Sequence, residues 1–317
     1  MRPLHLAVLV ALSVIWGSAF MLVKVVLEEV EPLTLVAGRL AGACLFLSLA
    51  ILVSRRAFPR DRRAWTAFVL LGLVNNVWPF VLLTWGQQHI ESSLAAILTA
   101  SMPLSTIVLA HVWIQERLTV DRAVGVLIGF GGVSVLIGAD LRELTESSTL
   151  GQLAIIGGVL GYSFGTVFAR RYLQDADPAA TAAGQTLVAA AVMIPVALAG
   201  DRPFDLSISP KIALAWVTLG VLSSGVAYLL FFSLIRHITA TQASMVSYLI
   251  PITAVFLGAL VLDERLGANS FSGLALIIVG VWVVNGGGRW LAEKTRGERP
   301  AATVESIRGS ADATERR

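Results

Sequence analysis

The chain has 317 residues, of which 56% are hydrophobic and 14% charged, with a formal net charge of +3. Soluble domains carry about a quarter of their residues as charges, so this depletion, together with a mean hydropathy of +0.77, excludes an ordinary soluble domain and leaves an integral membrane protein. The single cysteine, Cys44, stands in an apolar run and excludes an intrachain disulfide.

A membrane helix takes roughly 20 mostly apolar residues. Runs of that kind predict an all-α polytopic membrane protein with ten transmembrane helices, at 4–27, 33–54, 64–87, 92–114, 120–138, 151–170, 179–200, 211–234, 240–262 and 270–288. The first run follows Met1-Arg2 as a signal peptide would. It is long, carries Trp16 and Lys24, and is followed by no small-x-small cleavage site, so it reads as a retained span. Lys24 and, in the second span, Arg39 are the charges inside spans. Snorkelling outward towards Glu28, Glu29 or Glu31 is one reading of both, and drawing anionic substrate groups is the other.

The third span holds Asn75, Asn76, Trp78 and Phe80. Adjacent asparagines in an apolar run are costly without partners or water, so they predict either a lined cavity or cement between helices. In the fourth span Pro103 cannot donate to the carbonyl of Thr99. Irregular backbone of this kind is tolerated where it faces protein or a wet cavity. His111, later in that span, is the most buried titratable candidate, with a structural hydrogen bond as its plainer role. In the sixth span Tyr162 and Ser163, with Phe164 as the counterpart of Trp16, could form aromatic walls. Gly157, Gly161 and Gly165 recur there at four-residue spacing, as Gly125 and Gly129 do in the fifth, and such stripes let helices approach closely within a bundle or across a homodimer. The eighth span contributes Ser224 and Tyr228. In the ninth, Ser244, Ser247, Tyr248 and Pro251 share one helical face. The segment from Arg289 to Arg317 is polar and reads as a disordered cytoplasmic tail.

A slide of 148 residues superimposes much of the chain on itself. Gly17 falls on Gly165, Gly72 on Gly220, His89-Ile90 on His237-Ile238, Pro103 on Pro251, Glu116-Arg117-Leu118 on Glu264-Arg265-Leu266, and Gly132 on Gly280. Asn76 and Phe80 fall on Ser224 and Tyr228. Asp121 meets Asn269, and both suit the N-cap of the helix that follows. Glu116 and Glu264 sit where one helix ends and the next begins, and are read as structural hinges whose carboxylates accept from the following helix. Five spans per unit is an odd number, so the second unit would enter the membrane from the opposite side, an arrangement common in secondary transporters. With the N-terminus inside, the cytoplasmic segments hold 18 of the 24 basic residues, which places both termini in the cytoplasm by the positive-inside rule.

Two five-span halves, Trp16-Gly17-Ser18 in the first span, and a proline-bearing span that ends in Glu-Arg-Leu before a glycine-bearing one resemble the EamA family of the drug/metabolite transporter superfamily. The resemblance implies a first repeat over 1–138, a linker at 139–150, a second repeat over 151–288 and the tail at 289–317. It also implies a bacterial inner-membrane permease that exports small metabolites, amino acids or related compounds, by alternating access. Efflux of drug-like compounds and a non-transporting scaffold or sensor remain the alternatives. No metal cluster, catalytic triad or phosphate loop stands in the sequence, so neither an enzyme, a cofactor nor a nucleic-acid partner is expected. The 21 acidic residues all lie in loops, at span ends or in the tail, which leaves the spans without a carboxylate to carry protons.

Overall fold

Backbone groups in hydrocarbon must be bonded within their own segment, and every regular element in the computed structural model is a helix among the residues it describes: 3–55, 59, 61–116, 118–138, 147–173, 176–203, 206–234 and 245–284, less the side chains of 137, 138, 147, 232, 233, 245, 247 and 248. In chain order these are α1 (Pro3–Val26), α2 (Pro32–Val53), α3 (Arg62–Leu71), α4 (Trp78–His89), α5 (Ser92–Thr99), α6 (Met102–Ile114), α7 (Val120–Gly138), α8 (Ser147–Tyr172), α9 (Pro178–Gly200), α10 (Pro210–Thr218), α11 (Ala227–Leu234), α12 (Met245–Val261) and α13 (Ala268–Val284). Seven continuous helical stretches are long and apolar enough to cross a membrane, and shorter apolar helices follow at Leu249–Val261 and Ala268–Val284. Ser244, Arg117, His237 and the tail at 289–317 lie outside the described residues, as do the side chains of Ser247 and Tyr248.

Two of the rods are not α-helical throughout. Gly72–Val77 joins α3 to α4, and Leu219–Val226 joins α10 to α11, each as a π-helical stretch. The wider i→i+5 ladder shows at their ends, where Trp78 donates to the Leu73 carbonyl and Ala227 to that of Leu222. Pro79 follows the first stretch and lacks the N–H that would continue an α ladder. Ala227 stands at the matching place in the second, so a proline is not what the geometry requires. Pro103 acts as its residue type demands: the helix stops at Thr99 and restarts at Met102. Pro251, by contrast, lies inside an unbroken α12.

α6 and α12 end alike. Gln115 and Asp263 both take left-handed φ values, 55° and 54°, a conformation that costs a residue with a Cβ roughly 1–2 kcal/mol. The next residue then donates six positions back, Glu116 to the Ala110 carbonyl and Glu264 to that of Gly258. This closure meets the orphan carbonyls of a helix end and turns both glutamates off the helix axis. Asp121 and Asn269 fall one residue inside α7 and α13 rather than at their N-caps.

Packing pairs α7 with α13, α2 with α9, α4 with α8 and α1 with α12. Glycine sets the distance in each contact that matters for the site. Gly42 of α2 comes within van der Waals range of Gly220, and Gly17 of α1 is pressed on Thr253 and the Ile250 carbonyl of α12. The stripe in α8 lies against α4 and its π stretch, with Gly161 on Trp78 and the Val74 carbonyl and Gly165 on Asn75. That stripe is therefore spent inside the bundle.

Candidate functional site

Arg39 lies seven residues into α2, about 10 Å along the axis at 1.5 Å per residue. Because Gly42 and Gly220 let α2 close on the second π stretch, its side chain reaches across: Nε donates to Ser224 Oγ at 2.9 Å. The guanidinium carbon stands 4.0 Å from the centroid of the Phe80 ring, a cation–π contact. Phe80 in turn meets Tyr162 edge-on at 6.4 Å. One turn before Phe80, Asn76 Oδ1 accepts from Tyr228 Oη at 3.4 Å. Arg39, Asn76, Phe80, Tyr162, Ser224 and Tyr228 thus form one cluster, built by α2, α8 and the two π stretches with the helices they lead into. Arg39, Tyr162 and Tyr228 are only partly covered, whereas Asn76 is fully buried.

Two polar atoms in or beside this cluster have no partner. Asn76 Nδ2 and Ser223 Oγ are buried and make no hydrogen bond, a state that costs about 1–3 kcal/mol per group. The neighbouring Ser223 carbonyl is used, accepting from Trp16 Nε1 at 3.2 Å, and the Trp16 ring packs on Phe231 at 5.4 Å. Trp16 therefore borders the cluster from the α1 side.

The other expected site residues fall in different places. Asn75 points away from Asn76, donating to Gln185 Oε1 at 3.4 Å while Gly165 backs it; it ties three helices together. Trp78 is 54% exposed and donates to the Gly157 carbonyl at 3.0 Å, which puts it on the periphery. Thr99 Oγ1 donates to the Ala95 carbonyl of its own helix at 2.8 Å. Ser163 Oγ reaches the Met102 carbonyl at 3.2 Å, bracing the break before Pro103. Phe164 stacks on Trp113 at 4.6 Å, in a separate aromatic group with Phe168 and Tyr172, so Trp16 and Phe164 do not face one another as paired walls. His111 is exposed rather than buried, its Nδ1 2.7 Å from the Glu116 carbonyl oxygen.

Lys24 turns to main-chain oxygens and not to Glu28, Glu29 or Glu31. Its Nζ donates to the carbonyls of Gln87 at 2.6 Å and Ile90 at 2.8 Å, where α4 ends and a cation suits the helix dipole. Glu264 does not cap the helix that follows it either. Its carboxylate accepts from the backbone N–H groups of Ser92 at 2.6 Å and Ser93 at 3.0 Å, and from Ser93 Oγ, so it caps α5 in the other half of the chain. The left-handed turn at Asp263 aims it there. The α4–α5 turn is consequently clamped from both sides, by Lys24 and by Glu264. Burial and the nearby Glu264 carboxylate raise the pKa of Glu91 in that turn, against a hydrogen bond from the Arg265 backbone and the charge of Lys24. Glu116, the counterpart of Glu264, pairs with Arg170 at 2.7 Å.

Two further carboxylates cap helices at the Glu264 end. Asp201 accepts from Thr34 N at 2.7 Å and Thr34 Oγ1 at 2.9 Å, and Glu29 accepts from Ser209 N at 2.7 Å. At the opposite end the caps seen are local, Asp61 on α3 and Asp177 on α9. The long-range partnerships had no sequence signal of their own, nor did the π stretches, although the aligned Asn76 and Ser224 mark where the stretches fall. An apolar groove of about 480 Å³ opens elsewhere on α2, lined by Gly38, Gly42, Leu45, Phe46, Trp216 and Val221 among others. It offers no charged side chain and suits a lipid chain better than a polar solute.

The comparisons bear on what this arrangement serves. A solved crystal structure superimposes with a TM-score of 0.64 at 20% identity, covering 92% of this chain and 99% of the other, and shows the same fold. The Uncharacterized inner membrane transporter YedA of Escherichia coli (strain K12) is 26% identical over 278 residues, 87% of this chain and 89% of that protein. The Uncharacterized transporter YoaV of Bacillus subtilis (strain 168) is 22% identical over 275 residues, 87% of this chain and 94% of that protein. The model of the EamA-like transporter family matches twice, at residues 4–138 and 149–286. Matched by that family over most of its length, and similar over most of its length to membrane transporters, this chain belongs to the EamA-like transporter family and is a multi-pass membrane permease.

Proposed function

We propose that this permease exports small metabolites, amino acids or related compounds, by alternating access between two inverted five-helix halves, with ten spans and both termini in the cytoplasm. The observation that carries the reading is the polar cluster to which both π stretches contribute, Asn76 from one and Ser224 from the other, with an in-span charge, Arg39, bonded to Ser224 and the Asn76 amide N–H buried beside it without a partner. A solute that accepts from Asn76 and Ser223 removes the cost of that burial. π turns inside α-helices are frequent at functional sites, and here they fall at matching places in the two halves.

Alternating access needs one end closed while the other opens. Support comes from the three long-range carboxylate caps and the Lys24 clamp, which gather at the Glu264 end, while the opposite end has, among the described residues, local caps, the partly exposed Glu116–Arg170 pair and an exposed contact from Arg171 to the Trp113 carbonyl. The basic segments put the Glu264 end outside, so the described conformation is closed outward. Export direction rests on the family. The first test is efflux from proteoliposomes loaded with a mixed panel of amino acids and related metabolites, read by mass spectrometry. The expected outcome is selective loss of one solute class, slowed at least tenfold by Asn76→Ala. No efflux above protein-free vesicles, from protein shown to be folded, overturns the reading.

A further inference from the structure

We infer that the cluster is an anion site, in which the Arg39 guanidinium binds the carboxylate of the exported solute. The inference rests on the export reading and names its substrate class. A charge inside a span is expensive, and such charges pair with one another or serve a pathway. Arg39 has no such pair: no Asp or Glu lies deeper in a span than its first turn, and among the described residues none forms an ion pair with it. What surrounds the guanidinium is neutral, with Ser224 Oγ on Nε, the Phe80 face at 4.0 Å, and the phenols of Tyr162 and Tyr228 as its titratable neighbours.

The geometry leaves the right part of the group available. Nε is taken by Ser224, so the two terminal nitrogens form the fork that matches a carboxylate in bidentate fashion. Asn76 Nδ2, buried and unpartnered, supplies a second kind of donor to the same region. Every unmet valence named here is a donor, and the net charge of the cluster is positive. Such a site attracts a carboxylate and repels an organic cation. An ammonium group on the same solute would find no carboxylate, only aromatic faces and neutral oxygens, so the carboxylate is the group that is read.

The experiment pairs each solute with a twin in which a neutral amide replaces the carboxylate while the ammonium is kept. Full-length protein in proteoliposomes is loaded with amino acids and, in equal amounts, their primary amides, plus tetraphenylphosphonium as an organic cation. Initial efflux is measured by mass spectrometry after subtraction of protein-free vesicles. Wild type is expected to release the acids at least tenfold faster than the matched amides and to leave the cation behind. Arg39→Gln is expected to lose most acid efflux and to bring the acid-to-amide ratio near one, and Arg39→Lys to retain part of the preference. Equal rates for acid and amide in wild type overturn the inference while leaving export standing, and so does a cation that leaves faster than the acids. A ratio unchanged in Arg39→Gln assigns Arg39 a packing role and overturns it too. No movement of any solute overturns the export reading itself. The wild-type ratio decides the matter even where Arg39→Gln does not fold.

Discussion

At Gly280 a methyl group would stand 2.5 Å from the Gly129 nitrogen and 2.6 Å from the Gly125 carbonyl oxygen. Both obstacles are backbone, so neither can swing aside, and Gly280→Ala must push α13 off α7. Overpacking of this kind costs about 1–3 kcal/mol, and the expected result is a clear drop in the melting temperature of the detergent-solubilised protein. Gly131 provides the contrast, because nothing lies within 4 Å of its would-be Cβ. There Gly131→Ala is expected to be neutral or to raise the melting temperature, since alanine is better than glycine in a helix interior by up to about 1 kcal/mol. The repeat pattern identifies Gly280, which Gly132 falls on, whereas Gly131 falls on Val279; that one is pressed and the other stands free is set by the partner helix.

Among the elements, the α4–α5 turn is where separate parts of the chain meet. Glu264→Ala leaves two backbone N–H groups of α5 and the Ser93 hydroxyl without their acceptor, at a cost of about 1–3 kcal/mol. Glu116→Ala removes only a partly exposed ion pair, worth about 0–1 kcal/mol, so melting of the two variants should differ in that order. Glu91 adds a pH dependence. Its pKa is raised in the folded protein by burial and by Glu264, so the folded state holds this proton more tightly than the unfolded one. Its contribution to stability is complete below the ordinary value of 4.5 and is lost as pH rises through the higher native value. Wild type is therefore expected to lose stability relative to Glu91→Gln as pH is raised from 4.5 to 7.5, as measured by melting temperature.

For the molecule as a whole, the basic residues give a direct topological forecast. In a Cys44→Ser background, Thr145→Cys should react with a membrane-impermeant maleimide added to spheroplasts, and Pro59→Cys should not until the membrane is opened. The reverse pattern would invert the topology. Spans such as 64–87 and 179–200 were legible because hydrocarbon imposes length and apolarity, and they recur within two residues as Arg62–His89 and Pro178–Gly200. Pro103 announced the break at Ala100–Ser101, because a missing N–H is a local fact. Asn76, Phe80, Ser224 and Tyr228 could be named from the 148-residue slide, yet Asn75 and Trp78, their neighbours, fall on other faces of a widened helix whose phase a regular 3.6-residue count does not give. Lys24 and Glu264 were visible as charges, but their partners are main-chain groups, which carry no residue identity for a sequence to display.

Those main-chain partnerships bear on how the protein is made. Glu264 caps residues 172 positions earlier, Asp201 caps one 167 positions earlier, and Ser209 must be synthesised 180 residues after the Glu29 that receives it. At about 5–20 residues per second, the first half of the chain waits on the order of ten to thirty seconds in the bilayer with the starts of α2 and α5 unfinished. The halves are thus complete only in each other's presence, and a first half expressed alone would be left with open helix ends for the cell's quality-control proteases to find.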